Sequence, residues 1–229
     1  MAYNEDETLD QLKSWWQRHG TMLLLAVSAV LLSYAGWHWW TGKRVADASA
    51  AQALQQQMIS AMQRVSGNPD DKAANTDLQR LGHQLIDEYE SSPYAIDAAM
   101  LLARRAVESG DLPEAVTQLQ WAADHASGET ALLAKARLAR VLAAQKKPDA
   151  ALALLKEIDE PSLVPMVGEI RGDILLAKGD RAGAADAYRA ADAALAARDE
   201  ARPLLDMKLA DVGLEPAKRE SDNGEAIAR

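Results

Sequence analysis

The chain is predicted to be all-α: an N-terminal transmembrane helix, then an α-solenoid of two-helix repeats closed by a C-terminal capping helix. Three observations predict this class. Residues 21–40 (TMLLLAVSAVLLSYAGWHWW) contain no Asp, Glu, Lys or Arg in a chain that is 26% charged. From about residue 76 onward one helix–turn–helix pattern recurs, its anchor alanines Ala115, Ala151 and Ala184 standing 36 and 33 residues apart. Runs of alternating β-branched residues are missing, so nothing points to a sheet.

Twenty helical residues rise by ~30 Å, about the thickness of the bilayer hydrocarbon core. Two readings of residues 21–40 compete. In one the segment is a cleaved secretory signal, with Met22 to Leu32 as its apolar core and Ser33-Tyr34-Ala35 before Gly36 as a small-x-small cleavage site. In the other it stays as an anchor, and three features favour this. The leader carries Glu5, Asp6, Glu7 and Asp10 against only Lys13 and Arg18, it is long, and apolar character continues into Trp37, Trp39 and Trp40. Five of the six Trp flank the segment, Trp15 and Trp16 before it and the other three at its exit. An indole, apolar with one N–H donor, suits the headgroup boundary. Lys13 and Arg18 on one side against Lys43 and Arg44 on the other leave the positive-inside count tied. A short N-terminal tail and a large C-terminal domain favour an N-terminus in the cytoplasm. Ala26, Ala29, Ser33 and Gly36 form a stripe of small side chains, either a contact for a neighbouring membrane helix or the ordinary composition of such a span.

The repeats follow in order. Gly110-Asp111-Leu112-Pro113-Glu114-Ala115 leads to Leu119 and Ala122. Lys146-Lys147-Pro148-Asp149-Ala150-Ala151 leads to Leu155 and Ile158. Gly179-Asp180-Arg181-Ala182-Gly183-Ala184 leads to Tyr188 and Ala191. Glycine frees the turn of Cβ strain, and the Asp caps the next helix by accepting a backbone N–H. Asp111 with Glu114 reads as a capping box, and Pro113 falls in the first turn, where its missing N–H costs little. The preceding helices bury Ala99, Leu102, Ala103 and Ala106, then Leu138, Ala139 and Leu142, then Gly172, Leu175 and Leu176. An earlier partial unit shows in Leu81, Leu85, Ile86 and Tyr89, with Ser92 as N-cap before Pro93. Its first helix spans about Val45 to Val65 and continues from the apolar span. A last helix, about Ala201 to Val212, caps the stack. The resulting domains are a short tail (1–20), a transmembrane helix (21–40), a connecting helix that is also the first of the solenoid (41–66), the repeats with their cap (67–214) and a disordered polar tail (215–229).

Composition excludes several functions. Net charge is −9, and residues beyond the first forty hold 30 acidic against 23 basic groups, which opposes nucleic-acid binding. Without cysteine there is no disulfide scaffold, thiol nucleophile or Cys-ligated metal. His19, His38, His83 and His125 are scattered with no His-x-x-x-His pair, no Gly-rich phosphate loop is present, and Asp87-Glu88 and Asp159-Glu160 read as solvated faces. No catalytic residue, metal, cofactor or small-molecule substrate is expected.

The spacing brackets the 34-residue period of tetratricopeptide repeats, whose first helices line a binding surface. By that pattern the inward-facing positions are Asp97, Met100, Arg104, Arg140, Met166, Glu169 and Asp173. Arginine offers a fork of donors and methionine an adaptable apolar contact, a mix suited to a helix or extended peptide. Taken singly, each equally reads as a solvated helix residue. The Lys/Asn set with which some repeats grip a chain-terminal carboxylate is missing.

A short acidic start ending in Trp15-Trp16, then Gly20, the span closing at Gly36-Trp37, and the later run Arg171-Gly172-Asp173-Ile174-Leu175-Leu176-Ala177-Lys178-Gly179-Asp180 together resemble the YfgM family, ancillary SecYEG translocon subunits of bacteria. The resemblance covers roughly residues 3–214. It implies a single-pass inner-membrane protein with a cytoplasmic N-terminus and periplasmic repeats. It also implies a non-enzymatic scaffold associated with SecYEG and with a PpiD-like periplasmic chaperone, assisting emerging secretory or envelope polypeptides. An adaptor for another envelope assembly, or an anchored envelope enzyme, are the alternatives that the residues alone leave open.

Overall fold

A computed structural model describes residues 3–217, and among them every regular element is helical. The helices are α1 (Tyr3–Gly67), α2 (Lys72–Glu88), α3 (Pro93–Ser109), α4 (Leu112–His125), α5 (Gly128–Ala144), α6 (Pro148–Leu155), α7 (Val164–Ala177), α8 (Arg181–Ala196) and α9 (Pro203–Asp211), with a 3₁₀ turn at Pro161–Leu163. Of the expected disordered tail 215–229, residues 218–229 lie outside the described residues; Glu215, Pro216 and Ala217 belong to no helix. By its contacts the chain divides into two units, Met1–Ala53 and Leu54–Arg229.

The first unit is one helical stretch whose apolar side chains face outward: Leu24, Val27, Leu31 and Trp37 are all exposed. Among the described residues α1 is the helix long and apolar enough to cross a membrane. Its aromatic residues use four-residue spacing to cover one another. Trp15 lies 5.7 Å from the His19 ring, Tyr34 stacks on His38 at 6.1 Å, and the Arg44 guanidinium sits 4.1 Å above Trp40.

The second unit begins with the last turns of α1, which bury Met58, Ala61 and Val65. Arg64 reaches Asp77 of α2 at 2.8 Å, and this hydrogen bond holds the Asp77 carboxyl below its ordinary pKa. Side-chain caps then fix the starts of α2, α3, α4 and α8. Asp71 accepts from Ala74 N at 2.9 Å, Ser92 from Tyr94 N at 3.3 Å, Asp111 from Glu114 N at 3.1 Å and Asp180 from Gly183 N at 2.9 Å. The capping box expected at Asp111 closes on one side only. The Glu114 carboxylate accepts instead from Gln118 Nε2 at 2.7 Å, and the Asp111 N–H is already taken by Ala106 O at 2.8 Å.

Turns between the paired helices need a left-handed residue. Gly110 and Gly179 supply it at φ 81° and 83°, and in the middle repeat Lys146 is forced to φ 61°. Lys147, in the Asp position there, makes no side-chain cap. The middle repeat is further shortened. Its second helix, α6, ends at Leu155 after eight residues, so Ile158 lies past the helix, although it still packs against the core.

Within each repeat the two helices meet through a small residue and a large one. Ala103 faces Leu119 in the cluster of α3, α4 and α5, and Ala139 packs with Leu155 in that of α5, α6 and α7. In the third repeat these positions hold Gly172 and Tyr188, and a Cβ on Gly172 would collide with the edge of the tyrosine ring. The volume removed on one helix reappears on the other, which keeps the interior close-packed. On α7 the buried face differs from the expected one. Val167, Ile170 and Ile174 are buried with Gly172, Leu175 is half-buried, and Leu176 is 36% exposed. The helix is covered on two sides, by α5 and α6 through Ile170 and Ile174 and by α8 through Gly168 and Gly172, so its last turn is left outside.

Candidate partner-binding groove

The repeat register brings corresponding side chains to one face of the first helices. Met100 of α3 corresponds to Ala136 of α5 and Glu169 of α7, and Arg104 corresponds to Arg140 and Asp173. Between α3 and α5 this face opens into a cavity of about 400 Å³. Its floor is apolar, built from Met100, Ala103, Val107, Leu119 and Val141, and its rim carries Arg104, Arg137, Arg140 and Glu108. Three residues expected on the binding face, Met100, Arg104 and Arg140, thus line one cavity. Asp97 lies on the same helix; it is exposed, yet desolvation by its surroundings raises its carboxyl above the ordinary pKa.

Charge at the rim is uneven. Glu108 accepts from Arg104 at 2.8 Å and from Arg105 at 2.7 Å, and these bonds hold its carboxyl below the usual range. Arg104 itself keeps 74% of its side chain exposed. Arg137 and Val107 belong to the same cavity and were not among the expected residues. Each falls three positions from an expected arginine on its own helix, so helical spacing held the signal. Arg137 sits 4.0 Å from the Met100 sulfur.

The other expected residues are placed differently. Met166 is half-buried against the core of α5, α6 and α7 and borders a smaller cavity of about 300 Å³ with Arg198 and Arg202. Glu169 is buried at 3% exposure, and α9 supplies its cation: Lys208 Nζ donates to Glu169 Oε1 and to Asp173 Oδ2, both at 2.8 Å. Arg202 stands 2.9 Å from Glu169 Oε2, off the line of a hydrogen bond. Tyr188 donates its hydroxyl to Asp173 at 2.8 Å, and burial, this bond and the neighbouring carboxylates push the phenol well above its ordinary pKa. Lys208 had no local signal, because its partners lie 35 and 39 residues away in sequence.

Along α1, Ala26, Ala29, Ser33 and Gly36 are exposed, and Ser33 returns its hydroxyl to Ala29 O at 2.8 Å. A second cavity, about 390 Å³ between α2, α3 and α4, is polar; its Arg105 is already committed to Asn75 at 2.8 Å and to Glu108. Among the described residues no group of three or more His, Asp or Glu is placed to hold a metal ion.

The sequence matches the family model described as tetratricopeptide repeat-like domain over residues 13–214. It is also similar to proteins named ancillary SecYEG translocon subunit. That of Escherichia coli K12 is 29% identical over 188 residues, covering 82% of this chain and 86% of the relative. That of Haemophilus influenzae is 26% identical over 195 residues, covering 83% and 91%. That of Neisseria gonorrhoeae is 26% identical over 206 residues, covering 90% and 95%. No solved structure matches.

Proposed function

The chain belongs to the tetratricopeptide repeat-like domain family, and from that premise we propose a non-enzymatic, membrane-anchored adaptor that works beside the Sec translocon and assists newly translocated polypeptides. The observation that carries this reading is the extent of the family match. The family-model match over residues 13–214 takes in both the exposed apolar helix and the α3–α5 groove, and the relatives named as translocon subunits align over 82–90% of this chain.

In this proposal residues 1–20 lie in the cytoplasm and residues 21–40 cross the bacterial inner membrane. Residues 41–66 lead into the solenoid, and the repeats and cap of 67–214 stand in the periplasm. The exposed apolar surface of α1 supports a lipid setting, since in water such a surface promotes association. The stripe of Ala26, Ala29, Ser33 and Gly36 lets a membrane helix of SecYEG approach closely, because in lipid helix association rests on packing. The groove lined by Met100, Arg104 and Arg140, with Asp97 farther along α3, takes a PpiD-like chaperone or an emerging polypeptide. Its apolar floor supplies contact area and its arginines supply direction.

Co-purification tests the proposal. From membranes solubilised in mild detergent, the intact chain should bring down SecYEG, and replacing residues 21–40 by an unrelated apolar span should reduce the yield severalfold. Photocrosslinkers at positions 104 and 140 should capture translocon-associated or translocating chains. Recovery of the protein alone after mild crosslinking would sink the reading.

A further inference from the structure

The stack repeats one contact at two places and completes it at only one. On α9, Lys208 precedes the buried Leu209; on α5, Arg137 precedes the buried Leu138. Each cation reaches back to the first helix of the preceding repeat. Lys208 finds Glu169 and Asp173 on α7 at 2.8 Å each. Arg137 meets no acid there: the corresponding places on α3 hold Met100, whose sulfur its Nη1 approaches to 4.0 Å, and Arg104, which lines the same cavity. Among the described residues no carboxylate forms an ion pair with Arg137 or with Arg140, and the one acid at the rim, Glu108, is held by Arg104 and Arg105. A chain of net charge −9 thus keeps a local excess of positive charge over an apolar floor. Next to such a floor the local dielectric is low, and an incoming carboxylate is attracted more strongly than in open water.

We propose that the α3–α5 groove takes an acidic amphipathic segment of a partner polypeptide. Side-chain carboxylates of that segment bridge Arg137 and Arg140, and an apolar side chain enters the cavity above Met100 and Val141. The partner thereby supplies the acids that α7 supplies to Lys208. This rests on the adaptor reading and adds to it the chemistry of what is bound.

The test uses the full chain in nanodiscs and short fluorescent synthetic peptides of one helical design, with leucines four apart and a variable residue between them. Each peptide is amidated at its C-terminus, and one further copy carries a free carboxylate. The glutamate peptide should bind, the glutamine version roughly tenfold more weakly, and the lysine version not measurably. High salt should weaken the glutamate peptide. The double variant Arg137→Glu/Arg140→Glu, checked for helicity, should favour the lysine peptide, and Arg137→Lys should retain the original preference. Equal binding of the glutamate and glutamine peptides, failure of all of them, dependence on the free chain end, or an unchanged preference in the double variant would each overturn the inference. Co-purification of SecYEG, scored on the same preparations, keeps the two proposals apart. Lost peptide preference with retained co-purification removes this inference alone.

Discussion

The first helices α3 and α7 differ at two corresponding positions, Met100 and Arg104 on one, Glu169 and Asp173 on the other, and the surfaces around them differ accordingly. At α7 the acids draw in Lys208 of α9, whose side chain is left only 20% exposed, and the face is closed by the protein's own last helix. At α3 the same register offers a cation and a thioether, the first helix of the next repeat, α5, brings Arg137 and Arg140, and the cavity stays open. Reversing one charge position therefore separates a face that ends the stack from a face that stays open. In repeat arrays the terminal unit needs a cap of this kind to stay soluble.

The largest test of this contrast is Lys208→Met against Arg137→Met. The first leaves the buried Glu169 carboxylate with Arg202 alone and should destabilise the fold by about 3 kcal/mol. The second removes no ion pair and should change stability by less than about 0.5 kcal/mol. Denaturant unfolding of the full chain in micelles, followed by circular dichroism, would show the difference, and equal shifts would erase the distinction drawn here. Next in size is Gly172→Ala, which pushes a methyl against the edge of the Tyr188 ring and should cost about 1–3 kcal/mol. Adding Tyr188→Leu restores the Ala–Leu pairing of the other repeats and should recover part of that loss. A double-mutant cycle showing simple additivity would mean that the two sites are not coupled.

Smaller effects are expected at the turns. Lys146→Gly relieves the left-handed lysine and should raise stability by about 1 kcal/mol, whereas Gly110→Ala should lower it by a similar amount. Thermal melts of the pair should move in opposite directions. The smallest expected effects are those of pH, and they act on opposite halves. Glu108 has a lowered carboxyl pKa, so its contribution is present at neutral pH and is lost as pH falls through that lowered value. Tyr188 has a raised phenol pKa, so its contribution is complete below the free-tyrosine value of about 10 and is lost as pH rises beyond it. Ultraviolet titration of the chain beside Tyr188→Phe should show that the step removed by the substitution lies above the free-tyrosine value of about 10. If that step falls at the free value, the Tyr188–Asp173 contact is not maintained.

Much of the fold was legible because short-range chemistry sets it. Ser92, Asp111 and Asp180 cap where sequence spacing placed them, and the anchor alanines Ala115, Ala151 and Ala184 are all fully buried. The departure at Lys146 was legible as a departure, and its backbone shows what the missing glycine entails. Misjudged details belong to helices with neighbours on two sides: on α7 the buried stripe turned toward Ile170 and Ile174, which no single amphipathic face predicts. Of the candidate site, Met100, Arg104 and Arg140 were reachable from repeat register alone. Lys208 was not, because an ion pair across 35 to 39 residues leaves no periodic trace. The pairing of Glu169 and Asp173 depends on it and was hidden with it.

The eight-residue α6 has a consequence for how the stack comes apart. In an array where each helix touches only its neighbours, unfolding can pass along one unit at a time. Because α6 is so short, α5 and α7 approach each other along more of their backbone than α3 and α5 do across the longer α4, and Ala136 and Ala139 share a core with Ile170 and Ile174. That contact skips a helix, and in a one-dimensional chain a next-nearest-neighbour coupling raises cooperativity. Hydrogen exchange should therefore find α5, α6 and α7 opening as a single block, with fraying confined to the outer repeats.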